Sequence, residues 1–301
     1  MSPPSPSEAA RPLHVYSAGF LAPRLRRILT LAGWRLTSRW PGPEAEIAVW
    51  GRSRSGRLAR ALAAHRGARL VHVEDAPLRS LHPGRLGDPP VGLLIDRRGL
   101  HFDPSAPSDL EHLLSTHPLS DPALLARAES LVARLRAAHL TKYCATDPAL
   151  DPPAPGYVLV VDQLDGDASV TASGADRATF ADMLAAARRD HPDARILLRL
   201  HPETAAGLRD GHYGAADPCG RTIRLGGPHS PWRLLDGARA VYTVSSKLGF
   251  EAILAGHRPQ VFGVPFYAGW GLSDDRVAVP RRGRRLTPSQ LAAVALVLAP
   301  V

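Results

Sequence analysis

Short apolar runs alternate with longer amphipathic ones along almost the whole of this chain, and that alternation limits its fold more than any other feature. Residues 13–17, 47–51, 70–74, 92–96, 157–162, 195–200, 240–244 and 260–263 read as strands. Residues 21–32, 56–65, 123–140, 175–190 and 249–256 carry the periodicity of helices. Strand–helix alternation of this kind predicts an α/β protein, with parallel sheets covered by helices on both faces.

One stretch interrupts the pattern. From Thr146 to Pro155 the chain is rich in Pro and Asp, and consecutive prolines block both helix and sheet pairing. It predicts an interdomain linker over 146–156 between an N-terminal unit, 12–145, and a C-terminal unit, 157–301, with a cleft between them. Residues 1–11 read as a frayed tail, since they have neither the basic start nor the apolar run of a signal peptide. No apolar stretch approaches the ~20 residues of a membrane helix, which predicts a soluble or peripheral protein. Cys144 and Cys219 are too few for a disulfide framework or a Cys-rich metal site and fit a reducing compartment. The net charge of +9 is carried almost wholly by arginine, because Lys142 and Lys247 are the only lysines. With Ala, Pro and Gly also abundant, biased composition explains much of that charge. What remains is a mild preference for anionic partners, such as phosphorylated substrates or acidic lipid headgroups.

Several common chemistries are missing. Gly51 and Gly56 have P-loop spacing, but Arg57 and Leu58 stand where Lys and Ser/Thr would hold phosphate and metal, so the segment reads as a strand-to-helix turn. No dinucleotide glycine fingerprint follows a strand, no metal-ligand spacing appears among the thirteen histidines, and the hydrolase nucleophile elbow is absent. Neither a metal nor a dinucleotide cofactor is expected. No aromatic-interleaved basic stripe appears, so nucleic acid is not expected as a partner.

The informative positions are polar residues at the carboxyl ends of predicted strands, where open parallel sheets bind ligands. These ends are Glu74-Asp75, Asp162-Gln163, His201-Pro202 after Arg199, and Ser245-Ser246. Each taken singly is an ordinary turn or cap; four of them spread over both halves point to a site. The two hydroxyls of Ser245 and Ser246 at a predicted helix start form an anion site fitted to phosphate, with Glu251 farther along the helix facing ribose hydroxyls. Residues 263–271, Gly-Val-Pro-Phe-Tyr-Ala-Gly-Trp-Gly, are too compact for a helix and either wall a sugar or nucleotide site or plug the domain edge.

These motifs resemble a known family. Gly263-x-Pro265-Phe266-Tyr267-Ala268-Gly269-Trp270-Gly271-Leu272, preceded by Thr243-Val244-Ser245-Ser246-x-Leu248-Gly249-Phe250-Glu251-Ala252, is similar to the capsular polysaccharide family of retaining β-Kdo glycosyltransferases. So are Tyr16-Ser17-x-Gly19, Val49-Trp50-Gly51-Arg52, Glu74-Asp75-x-x-Leu78-Arg79-Ser80, Lys142-Tyr143, Val160-Val161-Asp162-Gln163-x-x-Gly166-Asp167-x-Ser169 and His201-Pro202. The match is colinear from about Val15 to Leu286. Ala76, Lys247 and Cys144 depart from the usual Gly, Gln and Asn.

The resemblance implies a GT-B-like architecture of two Rossmann-like αβα domains facing a cleft, with an acceptor-side N-terminal domain and a CMP-sugar-binding C-terminal domain. It implies CMP-Kdo as donor and a Kdo/lysophosphatidylglycerol-type glycolipid as acceptor in capsular linker synthesis. Many members look like two such modules in tandem, and this chain has room for one. In that setting Asp162 is the expected nucleophile and Glu74 the base. Arg199, His201, Pro202, Ser245, Ser246 and Glu251 bind the donor, with Asp75, Gln163, Asp167 and Lys142 in support. Asp167 is the alternative nucleophile. No metal is required. The implied location is cytoplasmic and peripheral on the anionic inner membrane, with other capsule-synthesis enzymes as partners. Two other readings stand beside this one: a sialyltransferase-like enzyme using another nucleotide sugar, and a non-catalytic basic glycan- or nucleic-acid-binding protein.

Overall fold

A computed structural model of the protein describes residues 10–214 and 220–301; the start of the tail and Cys219 lie outside the described residues. The first sheet takes β1 (Arg11–His14), β2 (Trp34–Thr37), β3 (Glu46–Trp50), β4 (Arg69–Asp75) and β5 (Leu93–Asp96) in the order β2-β1-β3-β4-β5. Helices α1 (Pro23–Leu31) and α2 (Arg57–Arg66) are its crossovers. Successive strand residues point to opposite faces. Ile47 and Val49 therefore pack on Ala59, Leu62 and Ala63 of α2, while Ala48, Val71 and Val73 pack on the α1 side with Leu29 and Trp34.

Both faces are thus covered, as the alternation predicts. The exception is β5, which pairs antiparallel with β4. The connection from β4 to β5 contains only the 3-10 turn Gly84–Leu86. Without a helical crossover the chain can return to the sheet only in the opposite sense.

Helices α3 (Asp109–Thr116) and α4 (Pro122–Ala137) precede the Pro-rich stretch, which forms no helix or ladder strand and is fixed to the second half by Asp147 N–H donating to the Pro228 carbonyl at 2.6 Å. The second sheet takes β6 (Tyr157–Val161), β7 (Ile196–Arg199), β8 (Thr222–Leu225), β9 (Ala238–Thr243), β10 (Gln260–Val261) and β11 (Asp274–Asp275) in the order β11-β10-β9-β6-β7-β8, parallel throughout. Its helices are α5 (Ala168–Ala172), α6 (Arg177–Asp190), α7 (Pro202–Ala205), α8 (Pro231–Gly237), α9 (Lys247–Leu254) and α10 (Pro288–Ala292). All of β6 is buried: Val158 and Val160 meet Phe180 and Met183 on one face, Leu159 and Val161 meet Trp232 and Leu235 on the other.

The end of the chain crosses back. After α10 a π-helical segment, Ala293–Leu298, leads to Val301, whose N–H and C=O both bond Leu93 of β5 at 2.9 Å. Leu291, Val294 and Ala295 share one core with Leu110 and Leu114 of α3 and with Phe250 and Trp270 of the second half. The unit expected over 157–301 therefore lends its last residues to the first sheet.

Candidate active-site cleft

The carboxyl ends of β4, β6, β7 and β9 all reach one cleft of about 580 Å³. Every candidate catalytic or donor-binding residue read from the sequence lines it: Glu74, Asp75 and Lys142 from the first half, and Asp162, Gln163, Asp167, Arg199, His201, Pro202, Ser245, Ser246 and Glu251 from the second.

On the first wall Glu74 is packed against the β3 turn. A Cβ on Gly51, whose φ is +42°, would lie 1.9 Å from Glu74 Oε1, so only glycine leaves room for that carboxyl. The P-loop-like spacing is a strand-to-helix turn, as read, and its first glycine backs an acid. Burial, with Asp75 adding, pushes Glu74 up to about 7 against the opposing pull of Lys247. Asp75 is committed elsewhere: it pairs with Arg79 at 2.8 Å, and Arg79 also donates to Ser80 Oγ and the Asp88 carbonyl, fixing the loop that follows.

On the second wall one hydrogen-bonded chain holds three motifs together. Ser169 Oγ donates to Asp167 Oδ1 at 2.8 Å and lies 2.9 Å from Ser245 Oγ. Gln163 donates from Nε2 to Ser245 Oγ at 3.0 Å and accepts from the Ser245 N–H at 2.8 Å. Asp167 also caps α5 through the same Oδ1, and its other oxygen has no hydrogen bond among the described residues.

Asp162 is placed differently. It is 2 % exposed, its Oδ1 accepts from the backbone N–H groups of Gln163 and His212 at 2.9 and 3.0 Å, and its Oδ2 is buried with no hydrogen-bond partner among the described residues. A Cβ on Gly211 would lie 2.1 Å from that Oδ2, so the carboxyl faces the 211–212 turn at close quarters. Burial raises it to about 6.

His201 caps α7, with Nδ1 accepting from the Glu203 N–H at 3.2 Å, which leaves Nε2 as the N–H donor. Burial and the nearby Lys142 lower it to about 4, so at neutral pH it offers a neutral donor. Arg199 is buried and bonds the Gly227 carbonyl at 2.9 Å; burial lowers it to about 10, which leaves it charged. Ser246 caps α9, accepting from the Leu248 N–H at 3.2 Å, and its carbonyl accepts from Tyr267 Oη at 2.6 Å. Glu251, on the same helix, accepts from Thr141 Oγ across the cleft, and burial pushes it up to about 7. The aromatic loop does both things the sequence allowed: Pro265 and Phe266 edge the cleft, while Tyr267 and Trp270 are sealed in the core.

Sequence reasoning passed over Lys247, His101 and Thr141. His101 is buried against Phe102 and Phe266, and burial holds it far below the ordinary histidine range. Lys247 did carry a signal. In a chain whose 37 Lys and Arg residues include only two lysines, both line the cleft. Burial lowers Lys142 too, but Tyr143, Asp75 and Asp167 more than offset this and hold it above its ordinary value.

The profile of the family described as capsule polysaccharide biosynthesis protein matches residues 45–149 and 124–299. The chain belongs to this family. LpsZ of Rhizobium meliloti, a lipopolysaccharide-processing protein, is 36% identical over 86% of the chain, and LipA of Neisseria meningitidis serogroup B, a capsule polysaccharide modification protein, is 36% identical over 78%. The chain spans 59% and 34% of the lengths of these two relatives. Among solved structures, the β-Kdo 2,4-transferase of Thermosulfurimonas dismutans KpsC superposes with a TM-score of 0.89 and 33% identity over 97% of this chain and 92% of that one. The KpsC β-Kdo 2,7-transferase superposes with a TM-score of 0.70 at 23% identity over 96% and 91% of the two chains, a likeness of fold. The capsule-family chain therefore has the GT-B-like architecture that the motifs imply.

Such a cleft can hold a phosphoester. Its second wall offers the Ser246 hydroxyl, a neutral His201 donor and the Arg199 charge, all facing the Glu74 carboxyl on the first.

Proposed function

We propose that the protein is a retaining β-Kdo glycosyltransferase that moves Kdo from CMP-Kdo to a Kdo/lysophosphatidylglycerol-type acceptor in capsule linker synthesis. The 0.89 TM-score likeness to a β-Kdo 2,4-transferase over nearly the whole chain carries this reading. Its support is the meeting in one cleft of residues from the Glu74-Asp75, Lys142-Tyr143, Asp162-Gln163, His201-Pro202 and Ser245-Ser246 motifs.

In the proposed reaction His201 Nε2–H, Ser245, Ser246 and the charge of Arg199 receive the CMP phosphate, Pro202 shapes that wall, and Glu251 faces the ribose. No metal takes part. Retention is achieved by two displacements. An aspartate oxygen attacks the anomeric carbon as its bond to the phosphate oxygen breaks and CMP leaves. The acceptor hydroxyl, giving its proton to Glu74, then attacks the same carbon and releases the aspartate.

The expectation from sequence put the nucleophile at Asp162. Burial favours Asp167 instead: Asp162 spends one oxygen on two backbone amides and has the other buried beside Gly211, whereas Asp167 keeps an uncommitted oxygen in the cleft and is oriented through Ser169, Ser245 and Gln163. Asp162 then holds the 211–212 turn, and Lys142 supplies charge near the reacting carbon.

We place the protein in the cytoplasm at the inner leaflet. Among the described residues no helix is long and apolar enough to cross a membrane, and α1 exposes Arg24, Arg26 and Arg27 beside Leu31. Incubation with CMP-Kdo and a Kdo-lipid acceptor, with product analysis and CMP-sialic acid as the rival donor, tests the assignment. Transfer from CMP-sialic acid in preference to CMP-Kdo would reject it.

A further inference from the structure

Lys247 is the first residue of α9, directly after the Ser246 cap, yet its side chain leaves the second half of the molecule. Its Nζ donates to the carbonyls of Asp75 and Ala76 at 3.3 Å each, at the end of β4 on the opposite wall. Asp75 pairs with Arg79, and Lys247 forms no ion pair among the described residues. Glu74 sits in the same group and has no ion pair among the described residues. The titratable and charged groups around the two are Asp75 and Arg79 at the β4 end, Lys142 from the stretch after α4, Glu251 on α9 and His101 after β5.

We infer that Lys247 is a positioning residue for the base: braced on the Asp75 and Ala76 carbonyls, its ammonium ties the acceptor-side strand end to the donor-side helix and favours Glu74 as carboxylate. The inference rests on Glu74 being the base of the proposed reaction.

Two facts support the electrostatic half of this role. Burial and the charge of Lys142 lower Lys247 to about 7, with Asp75, Glu74 and Glu251 opposing; burial and Asp75 raise Glu74 to about 7, with Lys247 opposing. Each group therefore favours the charged form of the other. In this chain arginine is otherwise the near-universal cation, and the lysines are both here.

With only two lysines in the chain, labelling lysine with carbon-13 at Cε gives two side-chain resonances, and K247Q identifies the one that belongs to Lys247. That resonance should titrate near neutrality, well below the ~10.4 of an ordinary lysine, and E74Q should move its midpoint lower still, because the carboxylate that favoured the ammonium is gone. A midpoint in the ordinary lysine range that E74Q leaves unmoved would overturn the inference whatever the donor proves to be.

Turnover supplies the second arm. K247Q, which can keep a donor near the carbonyls but carries no charge, should move the acid limb of transfer to higher pH, and K247R should restore it. A rate loss equal at every pH and not rescued by arginine would reduce Lys247 to a brace and reject the electrostatic role. Absence of turnover with CMP-Kdo in the unmodified protein would count against the donor alone, since the titration decides the lysine.

Discussion

On the β4 wall the cleft presents a carboxyl whose charge is hard to keep, because Glu74 is half-buried behind Gly51 and next to Asp75. On the β6–β9 wall it presents donors that need no charge of their own, including a neutral His201 and the Ser246 hydroxyl, with Arg199 adding fixed positive charge. The walls are reciprocal. Lys247 of the second half reaches the β4 carbonyls, and Thr141 of the first half donates to Glu251 of the second. A reaction in which one wall holds a phosphate and the other accepts a proton needs this asymmetry, since hydrogen-bond donors and Arg199 receive the phosphate while a fixed cation in place of Glu74 could not act as base.

The largest expected effect tests the second wall. Asp167→Asn should abolish transfer, by ~10³-fold or more, because it removes the proposed nucleophile's charge. Asp162→Asn should cost roughly tenfold or less together with a lower melting temperature, since it keeps the Oδ1 acceptor but weakens two charge-assisted bonds and buries an amide NH2 against Gly211 in place of Oδ2. Initial rates, and a Kdo adduct sought on each aspartate by mass spectrometry, read the difference. The opposite ranking, with the adduct on Asp162, would return the nucleophile to that residue.

Next comes the first wall. Glu74→Gln should stop transfer to acceptor by ~10²-fold or more while leaving CMP affinity, measured calorimetrically, nearly unchanged. In the unmodified protein the base works as carboxylate, and its raised value places the acid limb near pH 7, so the rate should rise with pH through about 7 and not through the ordinary carboxylate range. An acid limb near pH 4 would show that Glu74 is not the group being titrated.

Donor contacts should matter less. Ser246→Ala or His201→Ala should each weaken CMP binding by roughly 1–3 kcal/mol, because a phosphate oxygen loses its partner. Should these variants bind CMP normally while Glu74→Gln does not, the donor site would belong to the first wall and the comparison would be inverted.

The smallest effect lies outside the cleft. Co-sedimentation with phosphatidylglycerol vesicles should fall as salt rises toward physiological strength, with ~1 kcal/mol for each basic residue near the surface. Equal binding to neutral vesicles would attribute the arginines of α1 to composition alone.

Much of this was open to reading because strand ends and helix starts are local. The runs at β3, β4, β6 and β9 and the polar residues that close them are contiguous in sequence, so an α/β cleft and its candidate residues follow from short-range pattern. The edge strands β2 and β8 escaped, since each buries a single residue and shows too little apolar signal. What no local pattern holds is which groups from distant segments meet, and how deeply. Lys247 reaching the end of β4, Gly211 closing on Asp162, and Val301 pairing with Leu93 each join residues far apart in the chain. Charge states and accessible oxygens depend on burial by such partners, so the sequence named the carboxylates, and only tertiary packing decided which of them still faces the cleft.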